Sequence, residues 1–166
     1  HNTLVGLKLR RQIRLGASGK IISGFDVMRT LALGADWCNS ARGFMFALGC
    51  IQAQTCHTGN CPTGVTTQDP KRQIALVVPS KADRVFNFHH QTLESVKEML
   101  QATGLQSPSE LRLHHIMRRV SEHEIQNLSD LMQSVPGGAL LESQSLEGLF
   151  AKYWEASSPD SFQLTT

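Results

Sequence analysis

In the first third of the chain, the spacing of the apolar residues alternates between two patterns. Short apolar runs are typical of strands, whereas apolar residues three or four positions apart are typical of helices. The predicted elements are a helix end at 4–11, a strand at 13–18, a helix from Ser23 or Gly24 to Gly34, a strand at 35–39 and a helix at 44–51. This repeated order of strand, turn and helix predicts two βα units of an α/β fold.

The second half of the chain has mainly helical spacing. Residues 81–102 form one long predicted helix, and residues 146–156 form a last one. Ser107 and Ser121 are each followed three residues later by glutamate, the capping-box pattern, so we predict a helix after each. The predicted parts are the βα units at 1–50, a cysteine loop at 51–79, a helical extension at 80–156 and a polar tail at 157–166.

Each predicted strand is followed by a turn that exposes backbone N–H groups. Ser18, Gly19 and Lys20 follow the first strand, and Ala41 and Arg42 follow the second. N–H groups at such turns, next to the start of a helix, favour an anion, and the loops after the last two strands of TIM barrels often hold a phosphate. The alternative is that the glycines only shape the turns. Spacing alone leaves both interpretations open.

Three cysteines, Cys50, Cys56 and Cys61, lie within twelve residues with the spacing C-x5-C-x4-C, and a proline follows the third. Thiolates this close repel one another unless a cation shares their charge, so the pattern indicates ligands of a metal or an iron–sulfur cluster. A zinc site needs a fourth ligand, for which Cys38 and His57 are the candidates. A [3Fe–4S] cluster needs only the three.

Composition narrows the class of protein. The chain has 166 residues, of which 40% are hydrophobic and 18% are charged, and this suits one soluble domain with its own core. A net charge of +2, with scattered basic residues, argues against a nucleic-acid partner. No apolar run reaches the about 20 residues of a membrane span and no signal peptide is present, so the expected compartment is the cytoplasm. The first residue is not methionine, so we expect a piece of a longer polypeptide, in which a membrane anchor is an open possibility.

Two stretches of the sequence resemble a known family. They are ALGADWCNSARGFMFALGC at residues 32–50 and CHTGNCPTGVTTQDP at residues 56–70. Together they resemble the central, FMN-binding domain of glutamate synthases, and in particular the single-chain FMN-binding proteins that carry this domain. The likeness extends from about Leu4 to Leu131.

The resemblance implies a C-terminal portion of a (β/α)8 TIM barrel, made of its last two βα units and followed by a mostly helical extension. It implies two cofactors, FMN and a [3Fe–4S] cluster. Cys50, Cys56 and Cys61 match the cluster ligands by position. The positions that match the loops around the FMN phosphate are Ser18, Gly19 and Lys20 after the seventh strand, and Ala41 and Arg42 after the eighth.

The resemblance also implies a reaction, the reductive amination of 2-oxoglutarate to L-glutamate. Nitrogen comes from glutamine or ammonia, reduced FMN delivers hydride, and the cluster feeds electrons to the flavin one at a time. The implied electron donor is ferredoxin or an NAD(P)H-dependent subunit. No general base is recognisable in the sequence, so the catalytic residues stay unknown, and we expect the 166 residues to be inactive alone.

Lys20 and Ile22 stand where many glutamate synthases have glycine and arginine, so we expect a differently built phosphate loop. A second hypothesis comes from another class of protein. It is a helical interaction module, stabilised by zinc or an iron–sulfur cluster, that docks a partner without catalysis. The paired glycine turns favour the enzyme, because a structural metal module needs no phosphate loop.

Overall fold

The structure is a computed structural model that describes residues 1–142 and 146–163. Residues 143–145, in the predicted helical extension, and 164–166, in the predicted tail, lie outside the described residues. The chain forms two compact units, Gly16–His115 and His1–Leu15 with Ile116–Thr166. The elements are α1 Asn2–Gly6, β1 Gly16–Ser18, α2 Gly24–Ala32, β2 Trp37–Asn39, α3 Arg42–Leu48, α4 Pro70–Gln73, α5 Val78–Ala102, β3 Met117–Arg119, β4 Ile125–Asn127, α6 Leu128–Leu131 and α7 Gly148–Tyr153.

The unit Gly16–His115 begins with the predicted order of two strands and two helices. β1 and β2 pair in parallel, with Gly16 opposite Trp37 and Ser18 opposite Asn39, and α2 connects them. Each strand has three residues and is therefore shorter than predicted. A parallel pair joined by a helix is the βαβ unit of α/β folds. The complete barrel stays a prediction.

Ser23 begins α2, as the sequence predicts. Its Oγ accepts a hydrogen bond from the backbone N–H of Asp26, and the Asp26 carboxylate accepts one from the backbone N–H of Ser23 at 3.0 Å. This capping box satisfies N–H groups that the first helical turn leaves without partners. The bond from the Ser23 N–H, supported by the Ser23 hydroxyl, the Ile22 N–H and the Arg29 guanidinium, lowers the pKa of Asp26.

Helix α5 packs against both α2 and α3 and closes the core of this unit. Two glycines permit the close approach of the helices. A Cβ on Gly24 would lie 2.8 Å from Ser95 Oγ, and one on Gly43 would lie 2.6 Å from Phe88 Cζ. The buried apolar residues of this unit include Ile21, Met28, Ala32, Val96, Leu100 and Leu111. Burial of one large apolar side chain stabilises the fold by about 1.5–3 kcal/mol.

The other unit joins α1 to the C-terminal part of the chain. The N–H groups of Gly138 and Leu140 donate to the carbonyls of Val5 and Gly6, each at 3.2 Å. The core of this unit consists of Val135, Ala139 and Leu140, against which Leu7, Leu146, Phe150 and Trp154 pack. The helix predicted at 4–11 lies earlier, because Lys8 has a φ of 59°, outside the helical region.

The predicted helix directly after Ser121 is wrong. β3 and β4 form an antiparallel hairpin, and the N–H groups of Val120 and Ser121 both donate to the carbonyl of Glu124. The Ser121 Oγ accepts from the backbone N–H of His123 at 3.3 Å, so this serine stabilises the hairpin turn instead of a helix. A serine and a glutamate three residues apart suit a turn as well as a helix start, and strand pairing decides between them.

Ser107 acts as a cap, but only for a single 3-10 turn, Pro108–Glu110. The last predicted helix is present as α7 and is shorter than residues 146–156. Within the described ranges, no helix has both the length and the apolar character needed to cross a membrane.

Candidate functional site

The two predicted phosphate loops lie at the same edge of the β1–β2 pair. Because the strands are parallel and Ser18 is opposite Asn39, both loops leave the sheet side by side. The Ser18 Oγ donates a hydrogen bond to the Asn39 carbonyl at 3.3 Å, and the Ser40 Oγ donates one to the Ile21 carbonyl at 2.6 Å. Two side-chain bonds therefore hold the loops together.

Both loops are exposed at the five predicted positions, which are Ser18, Gly19, Lys20, Ala41 and Arg42. Gly19 has a φ of 126°, and no atom lies within 4 Å of the place where its Cβ would be. Lys20 also has a positive φ, 53°, and Arg42 is the first residue of α3. The structure thus places all five residues at two adjacent turns, with Ser18 ending β1 and Arg42 beginning α3, while contact with a phosphate stays a prediction.

Sequence reasoning missed Ser40, which links the second loop to the first. The available signal was a hydroxyl residue directly after a strand. A short polar side chain at that position readily bonds a neighbouring backbone group.

The three cysteines line one pocket, which begins where α3 ends. Gly49 takes the left-handed conformation, with a φ of 108°, and ends the helix directly before Cys50. Cys56 begins a 3-10 turn that ends at Gly59, and Cys61 follows it. The other residues that line the pocket include Met45, Pro62, Thr63, Val65 and Thr66. The three predicted ligands therefore line the same pocket, while their binding of a metal or cluster stays a prediction.

Cys61 is the most buried of the three, at 8% exposed, whereas Cys50 is half-buried and Cys56 is exposed. The Thr63 hydroxyl lies 3.4 Å from the Cys61 sulfur. This contact, together with the backbone N–H and hydroxyl of Thr66, lowers the pKa of Cys61 to about 6. The sulfur is therefore mostly thiolate at neutral pH, the form that binds metals. Sequence reasoning missed both threonines.

Thr66 is also notable because its Oγ1 is buried and, among the described residues, makes no hydrogen bond of standard geometry. A buried hydroxyl without such a partner is unusual in a folded protein. It lies in the same pocket as the cysteines, and its dipole favours negative charge on the Cys61 sulfur.

The candidates for a fourth ligand lie elsewhere. Cys38 is on β2 and lines a different pocket, together with Val27, Phe44 and Val96, and burial raises its pKa. His57 is exposed on the 3-10 turn. In residues 1–142 and 146–163, no three side chains of the His, Cys, Asp and Glu types converge on a single ion, and this includes Cys50, Cys56 and Cys61. The three sulfurs share a pocket without forming a closed site for one metal ion.

Helix α4 holds the far side of the cysteine loop. Asp69 caps it, accepting a hydrogen bond from the Lys71 N–H at 2.9 Å. The Gln73 side chain donates to the Thr67 carbonyl at 2.8 Å, and a Cβ on Gly64 would lie 2.3 Å from the Arg72 carbonyl oxygen. The loop is therefore packed against a short helix after the last cysteine.

Comparison with known proteins gives the family. The family model described as "conserved region in glutamate synthase" matches residues 1–106, which contain both loops and all three cysteines. The glutamate synthase large subunit-like protein YerD of Bacillus subtilis is 42% identical over 124 residues, covering 75% of this chain and 24% of that protein.

Two further relatives are more distant. The large chain of the NADPH glutamate synthase of Azospirillum brasilense is 30% identical over 154 residues, 89% of this chain and 10% of its own length. The ferredoxin-dependent glutamate synthase of Antithamnion sp. is 32% identical over 131 residues, 79% of this chain and 8% of its own length. The chain thus spans a quarter or less of these relatives. By the extent of the family match, it belongs to the glutamate synthase family.

Proposed function

We propose that this chain supplies the cluster-binding and FMN-phosphate-binding part of a glutamate synthase-type oxidoreductase. The observation that carries the proposal is the shared pocket of Cys50, Cys56 and Cys61, which lies inside the region matched by the family model. Its fold assignment, the last two βα units of a (β/α)8 barrel, is part of the proposal and is supported by the parallel β1–β2 pair.

The donor set fits a [3Fe–4S] cluster better than zinc. Three cysteines line one pocket, whereas Cys38 lines another pocket and His57 is exposed and does not line the cysteine pocket. A structural zinc site uses four ligands, while a three-iron cluster uses three thiolates. Cys61, already a thiolate at neutral pH, is the ligand that needs least change to bind iron.

The two loops of Ser18–Lys20 and Ala41–Arg42 fit the phosphate of FMN. Backbone N–H groups at these turns suit a phosphate, and the first N–H groups of a helix have no helical partner. Gly19 leaves open space at its Cα, which permits a close approach of a ligand to the backbone. The exposed Arg42 side chain adds positive charge beside the loops.

FMN supplies hydride transfer when bound, and the cluster supplies single electrons to it. The proposed reaction of the whole protein is the formation of L-glutamate from 2-oxoglutarate with nitrogen from glutamine or ammonia. The names of the relatives include NADPH-dependent and ferredoxin-dependent enzymes, so the proposed electron donor is of one of these two kinds. The role of this chain's residues is to hold the two cofactors in position.

The experiment is an anaerobic assay of the full-length protein with 2-oxoglutarate, glutamine or ammonium, and either NADPH or reduced ferredoxin. We expect glutamate to form with one of the two donors, and with protein that contains flavin and iron. Glutamate formation by protein that contains zinc and no iron would overturn the cluster assignment. Bound flavin and iron without glutamate formation under any combination would overturn the assigned reaction.

The alternative is a non-catalytic interaction module. It predicts that the purified full-length protein contains a metal and no flavin. Membership of the glutamate synthase family favours the enzyme over this alternative. Flavin content of the purified full-length protein separates the two.

A further inference from the structure

Two cationic side chains of α5 lie at the end of α3, next to the residue that precedes Cys50. The Lys81 Nζ is 3.1 Å, and an Arg84 terminal nitrogen 3.8 Å, from the position that a Cβ on Gly49 would take. Gly49 directly precedes Cys50, the first of the three cysteines. The two cations are therefore held at the entrance of the chain into the cysteine loop.

The packing of the helices fixes this placement. Phe88, further along α5, covers Gly43 at the start of α3, and its ring centroid is 5.1 Å from that of Phe44. The two helices thus run antiparallel, so the early residues of α5 lie at the end of α3. Lys81 is half-buried there, whereas Arg84 is exposed.

Neither cation has an anionic partner in the structure. Over the described residues, the side chains of Lys81 and Arg84 make no ion pair and no hydrogen bond. By contrast, Lys97 on the same helix pairs with Glu94 at 3.4 Å. Like charges three residues apart on one helix repel each other weakly, and an anion close by would favour both.

Backbone hydrogen bonds close part of the end of α3. The carbonyls of Phe46 and Met45 already accept hydrogen bonds from the N–H groups of Gly49 and Cys50, at 2.9 and 3.0 Å. Backbone bonds of this kind close a helix that ends in a left-handed glycine. Lys81 and Arg84 also carry the sign of charge that the carbonyl end of a helix favours, and this holds them near Cys50.

We propose that Lys81 and Arg84 provide the positive counter-charge of the cysteine-ligated cluster and raise its reduction potential. The inference rests on the proposed function. Three thiolates make the ligand set negative, and one-electron reduction by an external donor adds another negative charge without a bond change. A nearby positive charge therefore stabilises the reduced cluster more than the oxidised one.

The test is a redox titration of the full-length protein, followed by electron paramagnetic resonance of the cluster, in Lys81→Gln, Arg84→Gln and the double variant. Each lost charge is expected to shift the equilibrium toward the oxidised cluster by about threefold to tenfold. A tenfold change corresponds to about 59 mV for one electron. Lys97→Gln, which removes a paired charge on the same helix, is the matched control and should leave the potential unchanged.

The possible results distinguish a failure of the proposed function from a failure of the inference about Lys81 and Arg84. A wild-type protein without any cluster refutes the proposed function, whereas a cluster whose potential is the same in all variants refutes only the inference. If Lys81→Gln loses its iron, its potential cannot be measured, and the Lys81→Arg variant, which keeps the charge, is measured instead. A Lys81→Arg protein that contains iron and has the wild-type potential supports the role of charge. A Lys81→Arg protein without iron overturns the proposed role of charge.

Discussion

Ser40 donates a hydrogen bond from its Oγ to the backbone carbonyl of Ile21, at 2.6 Å. The bond joins the loop after β2 to the loop after β1. It therefore fixes the distance between the two groups of N–H donors that we assign to the FMN phosphate. Ser40 acts through the loops and is a positioning residue.

Removal of this link should weaken FMN binding in the full-length protein. One hydrogen bond contributes about 0.5–1.5 kcal/mol, so Ser40→Ala is expected to raise the dissociation constant of FMN about twofold to tenfold. Fluorescence titration of the FMN-depleted protein measures this constant. The iron content should not change, and Ser109→Ala, on the 3-10 turn Pro108–Glu110, serves as the control. An unchanged FMN affinity would show that the loops keep their geometry without the bond.

Lys20 occupies a backbone conformation that favours glycine. Its φ of 53° costs an ordinary L-residue about 1 kcal/mol, while glycine adopts it freely. Lys20→Gly should therefore leave the free energy of unfolding unchanged or raise it by up to about 1 kcal/mol, because the relief of strain competes with the entropy of glycine. Lys20→Val, which is β-branched, should lower it by about 1–2 kcal/mol. Hydrogen exchange across β1 and β2 measures the stability of both variants. Equal stability of Lys20→Gly and Lys20→Val would contradict the positive φ assigned to Lys20.

Gly43 is buried at the contact of α3 with α5. A methyl group there meets the Phe88 ring at 2.6 Å, and this clash outweighs the better helix propensity of alanine. We expect Gly43→Ala to lower the free energy of unfolding by about 1–3 kcal/mol in urea titrations. Gly137 has no atom within 4 Å of its Cβ position, so Gly137→Ala is the control and should be nearly neutral. Equal effects of the two substitutions would mean that α5 does not pack this closely.

Asp26 should make the stability of α2 depend on pH in the acid range. Its pKa is lowered below the usual 3.8, mainly by the bond from the Ser23 N–H, so the folded state favours the carboxylate. The stabilisation is complete above the pKa of the unfolded chain and is lost as pH falls through the lower pKa of the folded state. Asp26→Asn should cost about 0.5–1 kcal/mol at neutral pH and remove this acid dependence. Hydrogen exchange of the α2 amides between neutral pH and pH about 3 measures this pH dependence. If the wild type and Asp26→Asn lose stability in parallel as the pH falls, the capping box is not the cause of the acid dependence.

The sequence predicts well the features that depend on neighbouring residues. The cap at Ser23 and the two strands with a helix between them agree with the structure. The three cysteines line one pocket, while their role as ligands stays a prediction. Turn chemistry and local hydrophobic spacing carry that information. The long helix α5 was also clear, because its apolar spacing continues over many turns.

Features that depend on distant contacts were wrong or missed. The pattern at Ser121 suits a helix start, but pairing of β3 with β4 makes it a hairpin turn. Thr63 and Thr66 approach the Cys61 sulfur only because the chain folds back after Cys61. The approach of Lys81 to Gly49 depends on how α5 crosses α3, and no sequence motif records it.

The measurement that most directly tests the central claim is anaerobic electron paramagnetic resonance and absorbance spectroscopy of the full-length protein. The wild type and Cys38→Ser should both show the signal of an oxidised [3Fe–4S] cluster together with a flavin band. Cys56→Ser should lose the cluster signal and keep most of the flavin. A wild type that contains zinc without iron, or a Cys56→Ser variant that keeps the cluster while Cys38→Ser loses it, would contradict the account.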